Sequence, residues 1–251
     1  MIPAALIILM LTQAIPAVNT PARIGEIDGG KLKGDPTRLA WAPDGGSLYL
    51  QMSERKGNDV TQHHFVISIA DGNPKKVDVA PEWADKYWTW KSAQAAPGRP
   101  DFKVELTQEQ RTVRATSAPM GGDLARGGGT SVSSAGAGEG TPIGDVTAAA
   151  QQSQQVNAIV LKVRGEVVGE FINGPLIPGL TFGWSPQALG LLAYGDRDGK
   201  LTLMESSGKK AQVPDTSQAL LPAWTDDGAK LAFLERDGRR KYKLSVVSVG
   251  K

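Results

Sequence analysis

The sequence predicts an all-β fold, a β-propeller of about four blades, on three observations. Short apolar runs bounded by turn residues recur along the chain, whereas helical periodicity is rare. A tryptophan-led motif repeats, and 40 residues separate two of its copies, Trp184 and Trp224. The last repeat lacks one strand, which a segment near the N-terminus can supply. A period of about 40–45 residues with several short strands is typical of propeller blades.

The strands are predicted from apolar runs that alternate with polar residues or lie between turn residues. The clearest runs cover residues 47–51, 65–69, 102–106, 159–163, 201–204 and 231–234. Asp71-Gly72-Asn73, Asp198-Gly199 and Asp237-Gly238 each suit a tight hairpin that requires a positive φ angle.

The repeated motif places an apolar strand seven residues after each tryptophan. Those strands begin at Leu48, Leu191 and Leu231, after Trp41, Trp184 and Trp224. Trp83-Ala84-Asp85 is interpreted as an eroded fourth copy, 42 residues after Trp41. We therefore predict blades that start near Leu39, Glu82, Leu180 and Leu220. A tryptophan at one position of every blade is best explained as packing between neighbouring sheets, where an aromatic ring buries a large apolar surface.

These motifs resemble the TolB-type, WD-like propeller repeat, whose core is Trp-Ser-Pro-Asp-Gly. Trp41 to Gly45 fits that core best, since it retains Asp44 and Gly45. Trp184 to Ala188 retains Pro186, and Trp224 to Gly228 retains Asp227 and Gly228. The resemblance implies a propeller, and it covers roughly residues 39–80 and 180–249.

The ends of the chain are predicted to close the propeller. The last repeat ends at residues 244–249 with three complete strands, and residues 22–28 have the pattern of a fourth. Pairing between them would remove the exposed sheet edge between the first and last blades. A closed monomer is favoured over an incomplete propeller that a second chain completes.

The N-terminus is predicted to be an export signal over residues 1–17. Residues 3–12 are an uncharged apolar run, and small residues follow around Ala14 to Ala17. The run has the length of a signal-peptide core and is short for a membrane span. There are two alternatives, a buried N-terminal element and an uncleaved anchor. The anchor would be the chain's one contact with a membrane. Export implies a periplasmic or extracellular protein that meets its partner in the cell envelope.

A glycine-rich stretch at about 120–155 is predicted to be a flexible insertion in the second blade. Residues 120–144 contain nine of the thirty glycines, with Ser, Ala and Thr filling most of the rest. Such a composition buries too little apolar surface to offset the entropy of ordering. Residues 156–163 and 166–171 then form a hairpin that turns at Arg164-Gly165 and completes the blade.

The candidate binding residues are Tyr87, Trp88, Trp90 and Lys91. Interpreted as a strand, this segment projects Trp88 and Trp90 to one face and Tyr87 to the other. Tryptophan and tyrosine are enriched in binding hot spots, which favours an exposed surface for a peptide, glycan or protein. Packing between blades, in place of the missing turn motif, is the structural alternative.

Composition excludes several functions. Zero cysteines exclude disulfides and thiolate chemistry, and a net charge of +2 gives no electrostatic case for nucleic acid. The two histidines, His63 and His64, alternate faces in a strand, and Asp196-Arg197-Asp198-Gly199 lacks the remaining ligands of a calcium loop. No cofactor or metal site is predicted, and no hydrolase or phosphate-loop motif is present.

The sequence therefore favours a non-catalytic, exported propeller that binds a protein or peptide through one face. A glycan-active lyase or hydrolase with carboxylates around the central channel is one alternative. A carbohydrate-binding module that uses Trp88 and Trp90 is another.

Overall fold

The computed structural model describes residues 17–114, 153–172 and 176–250. These residues form four antiparallel sheets of four strands each. The arrangement confirms the predicted all-β fold, a four-bladed β-propeller. The predicted export signal lies outside the described residues except for Ala17, as does the predicted insertion up to residue 152. Residues 153–155, placed in that insertion by the sequence, belong to a strand.

The first blade follows β1 (Ala22–Asp28) in the chain. Its strands, from the inside outwards, are β2 (Asp35–Trp41), β3 (Ser47–Lys56), β4 (Asp59–Ser68) and β5 (Pro74–Val77). The turn from β4 to β5 contains Gly72 at φ 65°, as predicted for this hairpin.

The second blade is preceded by the helix α1 (Glu82–Lys91). Its strands are β6 (Ala95–Ala96), β7 (Arg99–Arg114), β8 (Ser153–Val163) and β9 (Glu166–Ile172). The predicted hairpin around Arg164-Gly165 is therefore the pair β8 and β9. The predicted start of this blade at Glu82 is wrong, because that residue begins the helix and the innermost strand has two residues only.

The third and fourth blades keep the predicted order of strands. The third contains β10 (Phe182–Trp184), β11 (Leu191–Gly195), β12 (Leu201–Glu205) and β13 (Lys210–Gln212). The fourth contains β14 (Ala219–Trp224), β15 (Lys230–Arg236) and β16 (Lys241–Ser248).

The fourth blade is completed by β1, the first strand of the chain. β1 pairs antiparallel with β16, from Ala22 opposite Val246 to Asp28 opposite Lys241. An additional bridge joins Val18 to Val249. Ile27 of β1 is buried in the same apolar core as the first blade. The predicted closure is thus confirmed, and it covers the outer edge of β16.

Candidate functional site

Three tryptophan side chains link neighbouring blades around the propeller. The indole N–H of Trp41 donates to the carbonyl oxygen of Ala223 at 2.9 Å, and that of Trp224 donates to Gly183 at 3.3 Å. The indole N–H of Trp184 donates to Ala93 at 2.7 Å. In the first two contacts the acceptor directly precedes the tryptophan of the next blade. The inner strands of the first, fourth and third blades are therefore connected in a directed series, which ends at Ala93 in the segment between α1 and β6.

Lys91 makes the remaining link, from the second blade to the first. Its ammonium Nζ donates to the carbonyl oxygen of Leu39 at 3.2 Å and lies 4.8 Å from the ring centroid of Trp88. The side chain is completely buried, and within the described residues no carboxylate pairs with it. Burial lowers the pKa of Lys91 well below its ordinary value. The fourth inter-blade link thus comes from a lysine instead of a tryptophan.

Helix α1 packs against the innermost strands of the other blades. It contacts β2 of the first blade and β10 of the third. The hydroxyl of Tyr87 donates to the carbonyl oxygen of Trp224 at 2.5 Å, on the innermost strand of the fourth blade. The helix therefore joins the second blade, which it precedes, to the other three.

The four predicted binding residues all lie on this helix, and the strand predicted for them is wrong. Residues 84, 87, 88 and 91 form its buried face, with Tyr87, Trp88 and Lys91 in the core and Trp90 half-buried. The spacing of three and four residues is that of one helix face. Tyr87 and Trp90 pack edge to face at 5.1 Å. Ligand binding by this set stays a prediction, and its geometry in the described residues is that of packing.

The turn residues of the repeat hold the tight connections at the ends of the inner strands. Asp44 accepts a hydrogen bond from the N–H of Gly46, and Asp227 accepts one from Ala229, both at 2.9 Å. Gly45 and Gly228 follow these aspartates with φ angles of 65° and 71°. The carbonyl of Pro186 accepts from Leu189 and Gly190. Trp83 lies on α1 instead of a turn, where it packs edge-on against Tyr49.

The two ends of the propeller differ in surface chemistry. We call the end that contains the β3–β4 turn, α1 and the segment after β9 the α1 face. The opposite end, with the β2–β3, β10–β11 and β14–β15 turns, is the tryptophan-turn face. The exposed large apolar side chains of the described residues all lie on the α1 face. They are Val60 (58% exposed), Val79 (73%), Ile172 (38%) and Leu176 (49%).

These apolar residues come from strands of the first two blades and from the segments that follow those blades in the chain. Val79 lies three residues before α1, and Ile172 ends β9. Leu176 begins a segment that packs on the helix, because Gly179 lies against the Trp88 ring and Leu180 is in the same core. Sequence reasoning missed this set, since exposure of a single valine or leucine depends on which strand end it occupies.

The candidate cation loop at Asp196 is a hairpin turn. The carboxylate of Asp196 accepts hydrogen bonds from the backbone N–H groups of Asp198 and Lys200, from the Thr202 hydroxyl and from the Gln212 amide, at 2.9–3.0 Å. Four donors surround it, which satisfies its acceptor capacity. Among the described residues no group of three or more His, Asp or Glu could hold a metal ion.

The two histidines have separate partners. His63 lies 3.1 Å from Glu54, and this hydrogen bond lowers the pKa of the Glu54 carboxyl. His64 lies 2.7 Å from the hydroxyl of Tyr49, whose pKa burial raises to about 12. The one buried carboxylate of the described chain, Glu235, accepts from the Ser217 N–H and the Ser245 hydroxyl.

The solved structures that the chain matches include two of Sqt1. Sqt1 from Chaetomium thermophilum is 15% identical with a TM-score of 0.21, and the match covers 88% of this chain and 45% of Sqt1. Sqt1 from the same organism bound to the N-terminus of the ribosomal protein L10 is 17% identical with a TM-score of 0.21, covering 87% of this chain and 47% of Sqt1. The chain thus spans just under half the length of the solved chains that it matches.

No protein family model matches the sequence. No curated protein matches it significantly. In the described part of the chain, α1 is too short and too polar to cross a membrane. The protein is therefore described by its fold, a four-bladed β-propeller with a helix packed against its innermost strands.

Proposed function

We propose that the protein is a non-catalytic, exported propeller that binds a protein or peptide partner through the α1 face. The observation that carries the proposal is the location of Val60, Val79, Ile172 and Leu176 at one end of blades one and two. Apolar side chains grouped on an otherwise polar surface are typical of protein interaction sites.

Export and membership of the TolB-type group belong to the same proposal. The apolar run at residues 3–12 supports export. The shared turns at Asp44-Gly45 and Asp227-Gly228 support the TolB-type repeat. Sequencing of the mature N-terminus tests export directly, and we expect the protein to begin at Val18. A cytosolic protein that begins at Met1 would contradict it.

Site-specific crosslinking tests the binding face. A photo-reactive phenylalanine analogue replaces Val79 or Leu176 on the α1 face, and Gln187 on the tryptophan-turn face as the control. Cells of origin are irradiated, and crosslinked products are identified by mass spectrometry. We expect one partner to be crosslinked from positions 79 and 176 and not from 187. Equal crosslinking from all three positions would exclude a specific face.

A charge variant tests whether apolar contact provides the affinity for the crosslinked partner. Val79→Asp with Leu176→Asp adds two charges to the α1 face, and Gln187→Asp with Ala188→Asp adds two to the opposite face. We expect the first pair to weaken binding about tenfold or more, because interface hot spots are worth about 2 kcal/mol or more each. The second pair should leave the Kd unchanged. Polysaccharide turnover by the purified protein would contradict the non-catalytic assignment.

A further inference from the structure

A second candidate site lies on the tryptophan-turn face, between the second and third blades. Arg99 begins β7, Arg164 lies in the β8–β9 turn, and Ser206 directly follows β12. Nη1 of Arg99 donates to Oγ of Ser206 at 2.6 Å. Nη2 of Arg164 donates to the carbonyl oxygen of the same residue. Two guanidinium groups from one blade thus bond to the same serine of the next.

The charges of this cluster are not compensated within the described residues. Neither arginine forms an ion pair there, and Lys209, in the same turn as Ser206, is exposed without one. Three carboxylates are close along the chain, Asp101, Glu166 and Glu205, and none of them pairs with either arginine in the described structure. Glu205 accepts a hydrogen bond from the hydroxyl of Ser207. Each guanidinium has five N–H donors, and one of each set is used on Ser206. The remaining donors are available to a ligand that carries several acceptor oxygens.

The backbone around the cluster leaves room for both guanidinium groups. A Cβ at Gly190 would lie 3.3 Å from Nε of Arg99, and a Cβ at Gly208 would lie 3.9 Å from Nη1 of Arg164. The arginines therefore lie over glycine backbone and are fixed by hydrogen bonds. Fixed guanidinium forks match the geometry of phosphate oxygens and lose less entropy on binding than free arginine side chains.

We propose that Arg99, Arg164 and Ser206 form a binding site for a tetrahedral oxyanion, either free phosphate or a phosphate monoester on a peptide. The site is independent of the partner proposed for the α1 face, since it lies at the opposite end of the propeller. The anion would neutralise the two positive charges of Arg99 and Arg164, which the fold brings to the same serine. The shared chemistry is a doubly charged anion with at least three acceptor oxygens.

Titration of the full chain with inorganic phosphate tests the site. Chemical shifts of the arginine Nε–H groups are followed at constant ionic strength, with chloride as the reference anion. We expect saturable shifts at Arg99 and Arg164. The variant Arg99→Gln with Arg164→Gln should weaken binding by about tenfold or more for each charge-assisted hydrogen bond that it removes. Arg55→Gln with Arg197→Gln, which removes two exposed arginines elsewhere, should leave the affinity unchanged.

Two further measurements complete the test. The first distinguishes the source of the phosphate, and the second uses conservative variants so that the result does not depend on a variant that fails to fold. A phosphoserine peptide that binds more tightly than inorganic phosphate identifies a peptide ligand, and equal affinity identifies the free anion. Arg99→Lys with Arg164→Lys keeps the charge and should still lose affinity, because lysine lacks the planar fork. Non-saturable shifts, full binding by the glutamine variant, or equal affinity for the same peptide with glutamate in place of phosphoserine would overturn the proposal.

Discussion

Trp41 shows how single residues connect the blades. Its ring is buried in the apolar core, and its indole N–H is bonded to the backbone of the fourth blade. Trp41 therefore stabilises the fold in two ways, by burying the apolar surface of its ring and by donating a hydrogen bond to the buried carbonyl of Ala223. Trp224 and Trp184 repeat the same two contributions at their own boundaries.

The substitution Trp41→Phe separates these contributions. A phenylalanine ring at this position would retain most of the apolar area and would lack the donor to Ala223. We expect the free energy of unfolding to fall by about 1–3 kcal/mol, the range for a buried polar group that loses its partner. Urea denaturation measures the change. Trp83→Phe is the control, because no hydrogen bond from the Trp83 indole is found in the described residues, and a smaller loss is expected there.

Lys91 gives a pH-dependent prediction. Burial lowers its pKa in the folded protein, so the unfolded chain binds more protons between that lowered value and the unfolded value of about 10.4. Stability contributed by this residue therefore rises with pH across that window. We expect Lys91→Met to be at least as stable as wild type at pH 7, because no carboxylate pairs with the buried ammonium in the described structure.

The measurement for Lys91 is the difference in unfolding free energy between wild type and Lys91→Met as a function of pH. That difference should shift in favour of the wild type as the pH approaches 10.4. Lys76→Met, at an exposed position of β5, should give a difference that stays flat. Parallel profiles for the two substitutions would show that Lys91 titrates normally.

At the scale of elements, the contact between β1 and the first blade depends on two glycines that face each other. A Cβ at Gly72 would overlap with the carbonyl oxygen of Ile24, and a Cβ at Gly25 would lie 2.5 Å from the carbonyl oxygen of Gly72. The close approach brings the strand that closes the fourth blade against the β4–β5 turn. Any side chain at either position would separate them.

Gly72→Ala and Gly45→Ala form a matched pair that measures this closure. Both glycines have a φ angle of 65°, but nothing lies within 4 Å of a Cβ at Gly45. The backbone strain is therefore shared and is about 1–2 kcal/mol. We expect Gly72→Ala to lower the melting temperature clearly more than Gly45→Ala, since it also displaces β1. Equal losses in thermal unfolding would mean that β1 does not need the close contact.

The elements also show what the sequence predicts and where it fails. The predicted bounds of β1 agree with the observed ones, because its own strand pattern and the missing strand of the last repeat can both be read from the sequence. The strand interpretation of residues 87–91 rests on the alternation of Trp88 and Trp90 with Tyr87, and it does not reveal the buried helix face formed by residues 84, 87, 88 and 91. The acidic residues Glu82 and Asp85 in the first turn of α1 and Lys91 in the last are the signal that favours a helix.

The functional surfaces were harder to predict than the fold, for a physical reason. Val79 and Leu176 lie at the same end of the propeller only because antiparallel strands return the chain to that end after each blade. Arg99 and Arg164 likewise meet at Ser206, 42 residues or more away along the chain. The repeat motif indicates which side chains each blade buries. The surface sites depend instead on which strand ends lie next to each other in neighbouring blades, and the repeat motif does not contain that information.

At the scale of the whole molecule, the pairing of β1 with β16 and the contacts of helix α1 connect all four blades. β1 joins the first and last parts of the chain, and α1 contacts the innermost strands of the other three blades. Loss of any blade would therefore expose core residues of its neighbours. Such mutual dependence favours a single cooperative unfolding transition of a monomer.

Unfolding experiments on the full chain test that cooperativity. Tryptophan fluorescence reports on the inter-blade contacts and on α1, and far-UV circular dichroism reports on the strands. We expect the two urea transitions to coincide, with a monomeric mass by light scattering before the transition. Ile27→Ala removes a core side chain of β1 and should lower the free energy of unfolding by about 2–5 kcal/mol. Both transitions should move to lower urea concentration together, because a cavity in one blade weakens the whole closed ring. Separate shifts of the two signals would mean that the blades unfold as independent units, and the helix would then not join them.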